Sequence, residues 1–247
     1  MDYDSLLELV KTRRSHRLFK SDPIPDEYID KIIEVARWSP SGFNMQPWEF
    51  IVVKKQELKN RIVETVNDYR RISRVMEETR EPWQRAWRPQ PSHPDSKEMD
   101  YSQAPVFIIL FGDTRTSIGL PMAIRYNQYR KQLIFNAGLA SAYIYMHLAA
   151  TTLGLASQWM SAVQDPFVQC VIKDLLGIPR CMEIFDMVAL GYPVEKPRKK
   201  LMRSTDKMVH YDYCGEGDFR TDDEVNDFVR RSRTWTMATH DRKAKIK

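Results

Sequence analysis

Residues 37–50, RWSPSGFNMQPWEF, decide how this chain is read. Just before them, Ile29, Ile32, Ile33 and Ala36 recur at helical spacing behind Pro25, which predicts an amphipathic helix entered from a turn at Ser21-Asp22. That helix has to stop at Ser39-Pro40, because a residue preceding proline is pushed out of the helical region. Just after them, WEFIVV is β-branched and aromatic and bounded by Lys54-Lys55, so a strand follows. The junction between two core elements thus carries Ser, Gly, Asn and Gln. Such a concentration of polar side chains in a short connection marks a place where something other than solvent is hydrogen-bonded.

Outward from the junction, residues 4–11 predict a short helix capped by Asp4, with Leu6, Leu7 and Val10 on one side. A helix from Gln56 to Tyr69 follows the first strand, and APVFIILFGD, residues 104–113, reads as a strand buried on both faces. Residues 130–153 form the strongest helix, predicted to lie centrally with Leu133, Ala137, Ala140, Ile144, His147, Leu148 and Thr151 on one face. GLASQWMSAV gives a loop and strand. Asp165-Pro166 caps a helix ending at Gly177, and MEIFDMVALGYP is a last strand closed by Gly191 and Pro193. Strands alternating with helices predict an α/β or α+β core around one sheet. The polar, Trp-bearing segment within 70–103 is too long for an ordinary connection and reads as a lid or a mobile insert. Residues 205–247 read as an extension that packs on another surface, such as a partner subunit, leaving 1–204 as the main domain.

Composition narrows the classes. Hydrophobic residues make up 43% of the 247, enough for a buried core, and the longest weakly polar run, AGLASAYIYMHLAA, is shorter than the roughly 18 residues a membrane span needs. No secretory leader is recognisable, and Cys170, Cys181 and Cys214 form no paired motif, so a reduced, cytoplasmic protein without membrane attachment is expected. The five histidines show no metal-ligand spacing, and no metal is expected. The net charge of +5 is gathered in clusters, RRSHR, YRRISR, PRKK and RKAKIK, that could meet nucleic-acid phosphates or simply be solvated faces. Trp38, Trp48 and Trp159 read as core aromatics, His147 as a satisfied core histidine and Cys181 as an inert strand residue. Trp83 and Trp87 could clamp a substrate or belong to a structural lid.

Three polar stations interrupt the apolar framework: RRSHR, SPSGFNMQPW and PRKKLMR. Arginines suit bidentate phosphate recognition, Ser15 can donate to a phosphate oxygen, and Asn44 and Gln46 offer donors and acceptors to a flat heterocycle edge. Together they describe an anionic cofactor with an amide-like ring, although neither a dinucleotide fingerprint nor a P-loop is present.

These residues resemble the FMN-dependent nitroreductase family. The resemblance runs through Arg13-Arg14-Ser15-x-Arg17-x-Phe19, Pro23-x-Pro25, Ala36 to Trp48, Ala104-Pro105, Gly154-Leu155 with Trp159, Leu176-Gly177-Ile178-Pro179, Gly191-Tyr192-Pro193 and Val209-His210-Tyr211. It covers about residues 5–211. It implies an α+β fold with a mixed, mostly antiparallel central sheet flanked by helices, in an intertwined homodimer with FMN at each interface. Arg13 and Ser15 would hold the phosphate with help from Arg14, while Arg17 would face flavin N1 and O2. Pro40, Ser41, Gly42 and Asn44, supported by Gln46, would come from the other subunit. Ser161 and Ala162 fall where the family presents a main-chain N–H to flavin N5, so Arg17 and Ser161 would tune the ring. Two departures stand out: MSA where a glycine usually follows the tryptophan, and Leu201 in place of a lysine near Arg203, for which Lys200 or Lys199 could substitute.

The activity so implied is transfer of hydride from NADH or NADPH through flavin N5 to a small nitroaromatic, quinone or similar acceptor, by a ping-pong mechanism without a side-chain nucleophile. Reductive dehalogenation, enoate reduction or flavin fragmentation on the same fold is the alternative. A silent flavin-binding scaffold and a basic nucleic-acid-binding protein are the competing classes, though no nucleic-acid partner is expected.

Overall fold

The computed structural model describes residues 2–79, 101–196 and 200–237. Most of the expected lid, with Trp83 and Trp87, and the basic tail lie outside the described residues. The chain divides into two compact units, residues 1–70 with 99–197, and residues 71–98 with 198–247.

In the first unit the elements are α1 (Tyr3–Thr12), α2 (Asp26–Arg37), β1 (Trp48–Val53), α3 (Gln56–Glu78, whose last turns pass into the second unit), β2 (Val106–Asp113), the single turn α4 (Met122–Arg125), α5 (Gln128–Thr152), β3 (Ala156–Met160), α6 (Pro166–Leu176) and β4 (Met182–Gly191). The four strands make one sheet in the order β1-β2-β4-β3, with every neighbouring pair antiparallel. Among the described residues the parallel contact expected of a mixed sheet is a lone bridge, Ser15 to Ser157.

Burial follows the two-residue period of β2. Phe107, Ile109 and Phe111 face one helical layer, with Ile62 and Val66 of α3 and Val168 and Ile172 of α6. Val106, Ile108 and Leu110 face the other, with Ile29, Ile32 and Ala36 of α2 and Phe135, Leu139, Tyr143 and Met146 of α5. A fully buried side chain of this size contributes about 1.5–3 kcal/mol, so a strand apolar on both sides is the natural centre of an α+β sandwich. The ends follow local chemistry. Asp165 accepts from Phe167 N at 3.0 Å at the start of α6, and Gly177 ends it in the left-handed region at φ 69°.

Several expectations need correction. The first helix is capped by Asp2, which accepts from Ser5 N at 2.7 Å, not by Asp4. The face of α5 that packs inward carries Phe135, Leu139, Ala142, Tyr143 and Met146, whereas Leu133, Ala137 and Ile144 from the predicted stripe are exposed. Trp38 is exposed, donating to Glu34 Oε1 at 2.9 Å, while Trp48 is buried and Trp159 half-buried. Cys181 stands just before β4, and its carbonyl accepts from Thr114 Oγ1 at 2.7 Å.

The second unit carries α7 (Asp222–Met237), begun by a reciprocal cap. Thr221 N donates to Glu224 Oε2 at 2.9 Å, and Glu224 N donates to Thr221 Oγ1 at 3.3 Å.

Candidate functional site

After α1 the chain becomes extended and lies along the outer edge of the sheet. Ser15 bridges Ser157, His16 N donates to Ser157 O at 3.0 Å, and Lys20 N donates to Tyr192 O at 2.9 Å. Part of the free edge of β3 is thereby covered. In an extended segment side chains alternate, which puts Arg13, Ser15 and Arg17 on one side and Arg14 and His16 on the other. Arg14 and His16 accordingly line a different hollow of about 280 Å³, with Thr12, Thr151, Gly154 and Pro193. Arg14 also donates to Arg13 O at 2.8 Å.

Arg13 and Arg17 are both half-buried. Burial lowers each guanidinium from its ordinary value, Arg14 adding to the effect at Arg13; at Arg17 the phenol of Tyr101 opposes it and Arg70 reinforces it. Arg17 Nε is fully buried without a hydrogen-bond partner among the described residues. No carboxylate among the described residues pairs with either arginine. Withdrawing two cations from water without an anion is unfavourable, and an arriving phosphate or other anionic group removes that cost. The donor set therefore fits an anionic cofactor.

Below Arg13 lies a buried polar and aromatic cluster. His147 Nδ1 is 2.7 Å from Ser157 Oγ, and its ring stacks on Trp159 at 5.6 Å. Burial first, and then the charge of Arg13, push the His147 imidazole down to about 3, so it is neutral. Among the described residues only one of its nitrogens is satisfied, Nε2 having no partner there, so the expectation of a satisfied histidine holds for half the ring. After β3, a 3-10 turn, Ser161–Gln164, presents Ser161 to solvent and buries Val163.

The 39–46 loop is elsewhere. Gly42–Asn44 forms one 3-10 turn, and Phe43, Asn44 and Gln46 take positive φ values of 55°, 52° and 45°. Left-handed backbone at three non-glycine residues is costly and is held by local bonds: Gln46 N donates to Ser41 Oγ and Gln46 Nε2 to Asn44 Oδ1, each at 3.0 Å. The loop rests on the N-terminal half of α5, Gly42 against Ile134 and Ser41 against Gly138. Arg13 stands beside His147, so the two stations are separated by about 13–20 Å of helix rise within one chain. The structure brings Arg13, Ser15 and Arg17 together along one edge of the sheet, with the Ser161-Ala162 turn following the adjoining strand. It keeps Pro40, Ser41, Gly42, Asn44 and Gln46 apart from them. Lys200 and Arg203 belong to the second unit, where Arg203 Nη2 donates to Lys207 O at 2.7 Å.

One residue was missed. Asp186 lies within the apolar run of β4 and, unlike the exposed Glu183 of the same strand, is almost wholly buried, with Oδ2 accepting from Trp159 Nε1 at 2.5 Å. Burial pushes its carboxyl up to about 7 against the lowering influence of Trp159 and Gln164. An acid amid MEIFDMVALG was the available signal. Among the described residues no three His, Cys, Asp or Glu side chains converge as a metal site requires.

An antiparallel sheet between two helical layers is edged by a segment whose two half-buried arginines meet no carboxylate among the described residues, a frame suited to an anionic cofactor. Residues 10–192 match the nitroreductase family, and the chain belongs to it. A Methanothermobacter thermautotrophicus protein named "Putative NADH dehydrogenase/NAD(P)H nitroreductase" is 28% identical over 205 residues, covering 82% of this chain and 85% of the relative. Iodotyrosine deiodinase 1 of Rattus norvegicus is 28% identical over 188 residues, covering 75% of this chain and 61% of the relative. Among solved structures, NfrA2 of B. megaterium matches with a TM-score of 0.68 at 18% identity, over 97% of this chain and 85% of that one. Iodotyrosine deiodinase bound to FMN and 3-iodo-L-tyrosine matches with a TM-score of 0.64 at 22% identity, over 85% of this chain and all of that one.

Proposed function

We propose that this chain is an FMN-dependent oxidoreductase that passes hydride from NADH or NADPH to a nitroaromatic, quinone or similar conjugated acceptor. The observation that carries the reading is the pair Arg13 and Arg17, partly withdrawn from water on one side of an edge segment with no anion opposite among the described residues. FMN, when bound, supplies the two-electron chemistry. Arg13 and Ser15 hold its phosphate. Arg17 favours negative charge at the pyrimidine end of the ring, and the Ser161-Ala162 main chain donates toward N5. No side-chain nucleophile is required. Donor and acceptor use the same space in turn.

The second half of the site, Pro40, Ser41, Gly42, Asn44 and Gln46, comes from a second copy of the chain. Two features support a homodimer: the separation of the two stations along α5, and the exposed apolar side chains of α1 and α5, among them Leu6, Val10, Leu133 and Ile144. Two α5 helices packed antiparallel would set the Arg13 end of one against the Ser41 end of the other. Residues 205–247 pack on that partner, as an extension of the domain formed by residues 1–204. A cytoplasmic location goes with three free thiols.

Reductive dehalogenation is the second reading, favoured by the deiodinase relatives. Anaerobic mixing of FMN-loaded protein with NADH and with NADPH, followed by a nitroaromatic, a quinone and a halogenated phenol, separates the two. Bleaching by nicotinamide and reoxidation by the first two acceptors supports the main reading. Reoxidation by the halophenol alone supports the second, and protein that takes up no FMN contradicts both.

A further inference from the structure

The pairing of β2 with β4 slips at one point: Phe111 lies opposite Ile184, but Leu110 lies opposite Asp186. Phe185 is the extra residue of a bulge. Without it, Asp186 would follow Ile184 onto the apolar α3 and α6 layer. With it, the carboxyl shares the side of Leu110 and faces the α5 layer, where the Trp159 indole meets it. Trp159 is next to last in β3, and Gln164, whose side chain also approaches the carboxyl, is the last residue of the following turn. Asp186 therefore binds the start of the segment that carries Ser161 and Ala162, with Gln164 at its end nearby, and the turn packs along β4.

We infer that Asp186 is a positioning residue for the Ser161–Gln164 turn, a buried acid anchor that fixes where the Ser161 and Ala162 main-chain N–H groups stand against a bound flavin. The inference rests on the flavin reading above. The anchor is built to change state. Asp186 Oδ1 makes no hydrogen bond among the described residues, and no cation there compensates the carboxylate. Facing it are the neutral Trp159 from β3, the neutral Gln164 from the turn, the apolar Leu110 from β2 and the phenol of Tyr143 from α5. That phenol is itself pushed far up, first by burial and then by Asp186, and donates to Met187 O at 2.6 Å, so it stays un-ionised. Asp186 consequently passes from neutral acid to carboxylate near neutrality, placing an unpaired negative charge beneath the turn.

The test uses three full-length proteins loaded with FMN: unaltered, Asp186→Asn and Asp186→Leu. The flavin's dissociation constant and midpoint potential are measured between about pH 5 and about pH 9, with indole fluorescence reporting packing. Asn keeps an oxygen for the Trp159 indole but cannot ionise. Its flavin affinity should stay within about threefold of the unaltered protein, while the step in midpoint potential centred near 7 disappears. Leu removes the acceptor for the Trp159 indole, which holds the strand leading into the turn, and should weaken flavin binding at least about tenfold. If the unaltered protein shows no step near neutrality, or if Asp186→Asn keeps it, the anchor assignment is wrong, even if Asp186→Leu fails to fold. Should the unaltered protein take up no FMN, the flavin reading falls and this inference with it. Normal uptake and bleaching by nicotinamide with all three proteins alike at every pH overturns the inference alone.

Discussion

Gly42 lies so close to helix α5 that a Cβ placed on it would stand 2.4 Å from Ile134 Cγ2. That methyl sits on a β-branched carbon of a helix, where rotation about χ1 is restricted, so it cannot swing away. Gly42→Ala is therefore expected to lift the 39–46 loop from α5 and cost about 1–3 kcal/mol. The Gly42→Ala, Ile134→Ala pair should recover most of that loss. A double-mutant cycle by denaturant unfolding reads the coupling, and additive effects would show that the contact is not tight.

That contact also illustrates what the sequence could and could not convey. The helix stop at Ser39-Pro40, the cap at Asp165, the glycine at 177 and the strand character of residues 106–111 were legible because each depends on its own neighbours. The inward face of α5 was not. This helix is apolar around most of its circumference, so Leu133 and Ile144 read as well as Phe135 and Leu139, and only the sheet decides between them. The bulge that turns Asp186 toward Trp159 depends on the pairing of two strands far apart in sequence, which no local pattern encodes. At the site, the sequence marked Arg13, Ser15 and Arg17 by residue type, and the structure sets them along the edge of the sheet with both arginines half-buried. That Arg14 lines a separate hollow follows from the edge pairing of Ser15 with Ser157.

His147 and Asp186 oppose each other in pH. The His147 imidazole falls from 6.5 to about 3 on folding, so the stability tied to its neutral form is complete above 6.5 and is lost as pH falls toward 3. The Asp186 carboxyl rises from 3.8 to about 7, so the stability tied to its neutral form is complete below 3.8 and is lost as pH rises through 7. Each amounts to roughly 4–5 kcal/mol, and between about pH 4 and 6.5 the two slopes nearly cancel. Asp186→Asn should leave the histidine slope alone, making the protein steeply less stable on acidification through that window. His147→Gln should do the reverse. Unfolding free energies of the three proteins across the window check this, and parallel curves would contradict it.

The reciprocal cap at the start of α7 gives a local prediction. Thr221→Ala removes the acceptor for Glu224 N and should cost about 1 kcal/mol. The loss is expected as faster hydrogen exchange in the first turn of α7, with β2 and β4 amides unchanged. Faster exchange throughout the sheet would mean that the two units do not open independently.

A site divided between two chains can be recognised by mixing defective proteins. Arg13→Ala with Arg17→Ala disables the edge station, and Ser41→Ala with Asn44→Ala disables the loop station. Each variant alone should hold flavin weakly, because both of its sites lack one station. In a mixed dimer, one site receives both defects and the other receives neither, since the sound edge of one chain meets the sound loop of its partner. Co-refolding the two variants in equal amounts yields about half mixed dimers by random pairing, so about a quarter of the unaltered protein's flavin sites should return. If both stations worked within one chain, every chain in the mixture would still carry a defect and mixing would restore nothing. Recovery of tightly bound flavin on mixing, read by its visible absorbance after gel filtration, thus distinguishes the shared cradle from an intrachain one without reference to turnover.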